Sequence, residues 1–122
     1  MFKSSPVGRE ITIVFYGVDK KLLNDDLLLK DILECAAMFE GYKILSSSSY
    51  KFQPQGVSIT VMISESHLCI HTYPEYGSLV FNFYTCRGES DGNKTIEYIK
   101  KKIKHKKLEI RDNKIVVDET KI

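Results

Sequence analysis

The sequence predicts an α+β fold, a two-layer sandwich in which an antiparallel sheet carries two helices on one face. Three observations predict it. Segments of alternating apolar and polar residues recur along the chain, as strands with one buried face require. Two other segments place apolar residues at helical spacing. The order is strand, helix, several strands, helix, strand, with turn-forming residues between the strands, which favours antiparallel pairing with the helices gathered on one side.

The elements follow in order. Residues 1–9 read as a loose lead-in. Ile11, Ile13 and Phe15 alternate with Thr12, Val14 and Tyr16, a strand pattern. Asn24 or Asp25 can cap the next helix, along which Leu29, Ile32, Leu33, Ala36 and Phe39 recur and which Gly41 stops. A second strand begins at Tyr42 to Leu45; the run Ser46 to Ser49 either extends it toward Phe52 or forms a flexible loop. Pro54-Gln55-Gly56 is turn chemistry. Val57, Ile59, Val61 and Ile63 then give a strand its apolar face, against Ser58, Thr60, Met62 and Ser64. Leu68 and Ile70 alternate with His67, Cys69 and His71 in a short strand that follows almost at once. After a turn at Tyr73 to Gly77, Leu79, Phe81, Phe83 and Thr85 face one way and Val80, Asn82, Tyr84 and Cys86 the other. Ile96, Ile99 and Ile103 mark the second helix. Leu108, Ile110, Ile115 and Val117 predict strand structure around a turn at Asp112-Asn113. The sheet face away from the helices needs either solvent-compatible residues or a second subunit.

Composition narrows the function classes. The 122 residues fit one domain, 1–122, with no linker and no internal repeat. A net charge of +2 is too weak to imply nucleic acid, and the lysines from Lys100 to Lys107 read as a solvated helix end. No stretch is apolar enough to span a membrane, and MFKSSPVGRE lacks the apolar core of a signal peptide. The three cysteines, Cys35, Cys69 and Cys86, form no C-x-x-C pair and no even framework, as expected of a chain in the reducing cytoplasm. Cys35 and Cys69 read most simply as core.

The chemistry gathers around residue 66. Ser58 and Ser66 share strand parity if one strand runs that far, His71 lies five residues on, and a paired strand brings Cys86 back toward them. A serine, a histidine and a cysteine then meet at one end of a sheet. His67, Cys69 and His71 also share a strand face, and with Cys86 they make a conceivable zinc set.

The run GVSITVMISESHLCIHTYPEYGSLVFNFYTC resembles the core of the short bacterial and archaeal S-adenosylmethionine decarboxylases. The matching pieces are Glu65-Ser66-His67, His71-Thr72-Tyr73-Pro74-Glu75 and Thr85-Cys86, with Phe52-Gln53-Pro54-Gln55-Gly56 before them and FYGVDKKLLND near the start. The resemblance covers roughly residues 8–105 and argues against the zinc set. It implies self-cleavage between Glu65 and Ser66 into 1–65 and 66–122, with Ser66 becoming a covalent pyruvoyl group and no metal required. Serine suits this because its oxygen is both nucleophile and leaving group. His71 is implied as the processing base, a role that an imidazole titrating near neutrality fits, and Ser58 as its assistant. In turnover, the family's ketone forms a Schiff base with the substrate amine and takes up the electrons left by carbon dioxide. Cys86 is implied as the acid that returns a proton, Phe52 as the face against adenine, and Glu75 as the acceptor for the ribose hydroxyls. Outside that context Phe52 would read as core and Glu75 as a turn residue.

The resemblance also implies a homodimer whose active sites draw on both protomers, a small-molecule substrate, and a place in spermidine synthesis. The chain departs from the family's usual residues at Tyr50, Ile59 and Asn82, and Arg87 stands between Cys86 and Gly88 where the family usually reads Cys-Gly. None of these changes touches Ser66, His71 or Cys86, but they touch the surroundings, so the same pyruvoyl chemistry on arginine or ornithine stays open. So does a silent regulatory module that binds a small molecule or a partner.

Overall fold

The structure, a computed structural model, describes residues 5–64 and 66–121. Its strands are β1 (Val7–Tyr16), β2 (Ile44–Lys51), β3 (Val57–Ile63), β4 (Ser66–Tyr73), β5 (Ser78–Thr85) and β6 (Lys107–Val116). They form one six-stranded sheet in the order β2-β3-β4-β5-β1-β6, antiparallel throughout. Two helices, α2 (Asp26–Phe39) and α3 (Asn93–Lys102), form the second layer, preceded by a single extra turn, α1 (Lys20–Leu23). The α+β sandwich is therefore as expected, with one short helix more.

The alternation decides which residues meet the helices. Ile11, Ile13, Phe15, Ile59, Val61, Leu68, Ile70, Phe81 and Phe83 are buried on one sheet face, against Leu29, Leu33, Ala36 and Ile99 of the helices. Truncating one of these phenylalanines to alanine costs about 3–5 kcal/mol. Asp25 caps α2, its carboxylate accepting from the Leu28 amide at 3.0 Å. Gly41, at φ +83°, lets the chain leave α2, and the Tyr42 amide turns back to the Ala37 carbonyl. Glu40, just beyond α2, accepts from the Lys94 and Thr95 amides and so satisfies the first turn of α3.

One detail differs from the sequence reading, the turn at Asp112-Asn113, and two alternatives that the sequence left open are decided. The serine run is strand: Ser46 to Ser49 pair with Met62 to Ile59, and the Ser47 hydroxyl donates to Glu34 at 2.7 Å. No turn occurs at Asp112-Asn113. β6 runs straight through and pairs with β1 along its length, because Arg9 grips the Asp112 carboxylate with two hydrogen bonds, at 3.0 and 2.7 Å. Ser58 and Ser66 do not lie on one strand. The chain reverses after Ile63, Ile63 pairs with Ser66, and Ser66 opens β4 on the buried, helix-facing side.

The other face of the sheet carries Thr12, Ser58, Thr60, His67, Cys69, His71, Asn82 and Tyr84. It is polar but interrupted by Met62 and Tyr73, both substantially exposed. Cys69 belongs to this face and is half-buried beside Thr60, and Cys35 is half-buried on α2, so neither is a core residue. No helix among the described residues is long and apolar enough to cross a membrane.

Candidate active site

The residues singled out in the sequence fall into two groups at opposite ends of β4. At one end the β3–β4 register sets Ser58 opposite His71, and the Ser58 hydroxyl lies 2.8 Å from His71 Nδ1. His71 is exposed on the open face, so its other ring nitrogen is accessible to anything packed there. The same end holds Phe52 and Glu75. Phe52 follows β2, is 46% exposed and meets the Tyr50 ring at 4.8 Å, while Tyr50 pairs with Ser58 across the ladder. Glu75 lies in the 3₁₀ turn Pro74–Tyr76 that follows β4, and its carboxylate accepts from Gln55 at 3.3 Å. Phe52 is thus not core, and Glu75 is an exposed carboxylate with spare acceptor capacity.

At the other end are Ser66 and Cys86. His67 lies opposite Tyr84; one residue further along each strand come Ser66 and Thr85, and then Cys86. The Ser66 hydroxyl is buried and is the one such side-chain oxygen or nitrogen among the described residues with no hydrogen-bond partner. Leaving a buried hydroxyl unpaired costs about 1–3 kcal/mol, so it calls for an explanation. Glu65, the expected other half of the scissile bond, lies outside the described residues.

The two groups do not meet within one chain. Ser66 and His71 are five residues apart on β4, about 16 Å at a rise near 3.3 Å per residue, and they point to opposite sheet faces. The single cluster expected from the sequence is therefore two separate groups. Between them, His67 has its Nε2 3.3 Å from Asn82 Oδ1, and Asn82 donates to Thr12 at 2.9 Å. His67, Cys69 and His71 each turn to a different neighbour, and no metal-holding group of His, Cys, Asp or Glu occurs among the described residues.

The comparisons bear on this geometry. The family model described as S-adenosylmethionine decarboxylase matches residues 9–114. The chain belongs to the S-adenosylmethionine decarboxylase family. Among relatives named S-adenosylmethionine decarboxylase proenzyme, that of Thermotoga petrophila is 39% identical over 85% of this chain and 80% of its own. The proenzyme 2 of Bacillus cereus is 38% identical over 88% of this chain and 87% of its own. The crystal structure of the adenosylmethionine decarboxylase from Aquifex aeolicus superposes with a TM-score of 0.83 at 28% identity, covering 95% of this chain and 96% of that one.

The sequence reading missed a further set of groups just behind Cys86. Tyr42, Thr85 and Asp91 hydrogen-bond to one another, and Arg9 reaches the same loop. Their separation in sequence left no local spacing to reveal them. Burial, followed by the hydrogen bond to Asp91, pushes the Tyr42 phenol well above its ordinary value, so it stays a neutral donor.

Proposed function

We propose that this chain is a proenzyme that cuts itself between Glu65 and Ser66, turns Ser66 into a pyruvoyl group and decarboxylates S-adenosylmethionine. The observation that carries the reading is the buried, unpartnered Ser66 hydroxyl at the first residue of β4, in a chain whose relatives are named proenzymes. A hydroxyl held by no hydrogen bond keeps its lone pairs available for the preceding carbonyl. Attack by Ser66 Oγ on the Glu65 carbonyl carbon makes an ester and frees the residue-66 nitrogen as an amine. Removal of the Cα proton of residue 66 then expels the Glu65 carboxylate and breaks the chain. Water replaces the nitrogen, which leaves as ammonia. Once formed, the pyruvoyl group supplies an electron sink for the bond to carbon dioxide.

The two groups support a homodimer with composite active sites. Ser66 and Cys86 of one protomer would face Ser58, His71, Phe52 and Glu75 of the partner subunit. His71 has an exposed ring on the open sheet face, and that face presents Met62 and Tyr73 for cover. In this arrangement the hydrogen bond to Ser58 fixes the His71 ring, and His71 takes the Cα proton. Phe52 stacks on the purine, and Glu75 accepts from the ribose hydroxyls. Cys86 protonates the substrate α-carbon after carbon dioxide leaves.

Intact mass and a labelled-substrate assay test the proposal together. Purified protein should give fragments 1–65 and 66–122, and Ser66→Ala should stay one chain. Cut enzyme offered carboxyl-labelled adenosylmethionine, arginine and ornithine in parallel should release carbon dioxide from adenosylmethionine. Release from arginine or ornithine alone overturns the substrate and leaves the mechanism. A wild-type chain that stays whole overturns both.

A further inference from the structure

The Cys86 thiol sits where the sheet ends. The last pair of the β1–β5 ladder is Arg9 with Thr85, and Cys86 is the next residue. The groups on either side of it converge on one carboxylate. The Thr85 hydroxyl donates to Asp91 Oδ2 at 2.7 Å and accepts from the Arg87 amide at 3.3 Å, closing a tight loop around Cys86. The Tyr42 hydroxyl donates to the same Asp91 oxygen. The Arg87 guanidinium lies 4.9 Å over the Tyr42 ring. Arg9 donates to the Asp91 carbonyl at 3.0 Å and to Asn93 at 2.7 Å while its other nitrogens hold Asp112. Thr85 and Tyr42 are buried, so these hydroxyls have little water to turn to.

The geometry points to Tyr42 and Asp91 as positioning residues for the Cys86 thiol, with Arg87, the residue between Cys86 and Gly88, as the outer cover of the clamp. The inference rests on the reading of Cys86 as the proton donor. Residue 85 on one side of the thiol is tied to Asp91, and residue 87 on the other is tied to Thr85 and to the Tyr42 ring, so the thiol has little freedom to move along or across the strand end. A proton donor must be held to within a fraction of an ångström, and a misplacement near 1 Å costs about 100-fold in rate. Arg87, an exposed residue between Cys86 and Gly88, would loosen this loop if left unsupported. Its place on the Tyr42 ring, with its amide on Thr85, ties it into the same clamp.

The test compares Tyr42→Phe, Asp91→Ala, Asp91→Asn and Cys86→Ala in cut enzyme with adenosylmethionine. One oxygen of Asp91 accepts both hydroxyls, and the side-chain oxygen of asparagine can do the same. Asp91→Ala should lower kcat about 10- to 100-fold with KM little changed. It should also displace the pH–rate limb that depends on Cys86 and change the rate at which iodoacetamide alkylates Cys86. Tyr42→Phe should do the same more weakly, and Asp91→Asn should restore most of the rate. Alkylation is also read in the Ser66→Ala background, so a variant that fails to mature still reports on the thiol. Wild-type kcat, pH profile and alkylation rate in Asp91→Ala and Tyr42→Phe, alongside an inactive Cys86→Ala, overturn the positioning role alone. Full turnover by cut Cys86→Ala overturns the proton-donor reading and the positioning role with it.

Discussion

Chains carrying Ser66→Ala and chains carrying His71→Ala should each stay whole on their own, yet a mixture should cut. About 16 Å of β4 separates the two residues in one chain, whereas a base must come within about 3 Å of the proton it takes. If His71 is the processing base proposed above, it acts on the Ser66 of a partner subunit. In a mixed dimer, the His71→Ala chain still has Ser66 and meets the intact His71 of the Ser66→Ala chain. With equal amounts and random pairing, half of all dimers are mixed, each with one complete site, so about half of the His71→Ala chains, or about a quarter of all chains, should be cleaved. Co-expression with two different tags, followed by intact-mass measurement, reads this directly, and only the His71→Ala chain should yield fragment 66–122. Mixed dimers that are present by native mass spectrometry but remain whole refute the composite site.

Three further outcomes follow from particular contacts. Gly92 has φ +96° and a Cβ there would lie 2.3 Å from Phe83 Cε2, so Gly92→Ala should lose stability. Backbone strain of about 1–2 kcal/mol and overpacking of about 1–3 kcal/mol together lower Tm by about 10–20 °C, and an unchanged melting curve contradicts this. Phe52→Ala should raise KM for adenosylmethionine by about 5- to 10-fold, the low end for base stacking because the ring is 46% exposed; unchanged KM removes it from the purine subsite. The hydrogen bond from Arg9 holds the Asp112 carboxyl below its ordinary value, so the stability it contributes is present above the unfolded value near 3.9 and is lost as pH falls through the lower folded value. Asp112→Asn should flatten that acid limb in denaturant titrations, and an unaltered limb places the stability elsewhere.

Much of the architecture was legible because the periods were clean. Ile11-Ile13-Phe15, Val57 to Ile63 and Leu79 to Thr85 each placed their alternate residues on the buried face. What stayed hidden depended on partners distant in sequence. Asp112-Asn113 carries turn-forming residues, yet Arg9, far away in the chain, holds Asp112 in an extended strand. The serines of β2 have weak strand preference and owe their conformation to the ladder with β3. The reversal after Ile63 has no glycine or asparagine to announce a hairpin, so the sequence left open whether the strand ran on to Ser66, and one cluster was expected where there are two separate groups. The motifs pointed to the candidate residues; only the register showed which of them lie together within one chain.

The strand order also fixes what a cut after residue 65 can release. The piece before the cut holds β1, β2 and β3, and the piece after it holds β4, β5 and β6. In the sheet these interleave, since β1 of the first piece lies between β5 and β6 of the second while β3 stays zipped to β4. The fragments are therefore interlocked like the fingers of two hands. Neither can slide free without tearing out central ladders, and neither can keep the sheet alone. Maturation of such a chain would work as a ratchet that only a folded molecule can enter, after which the two polypeptides share one fate, persisting or unfolding together.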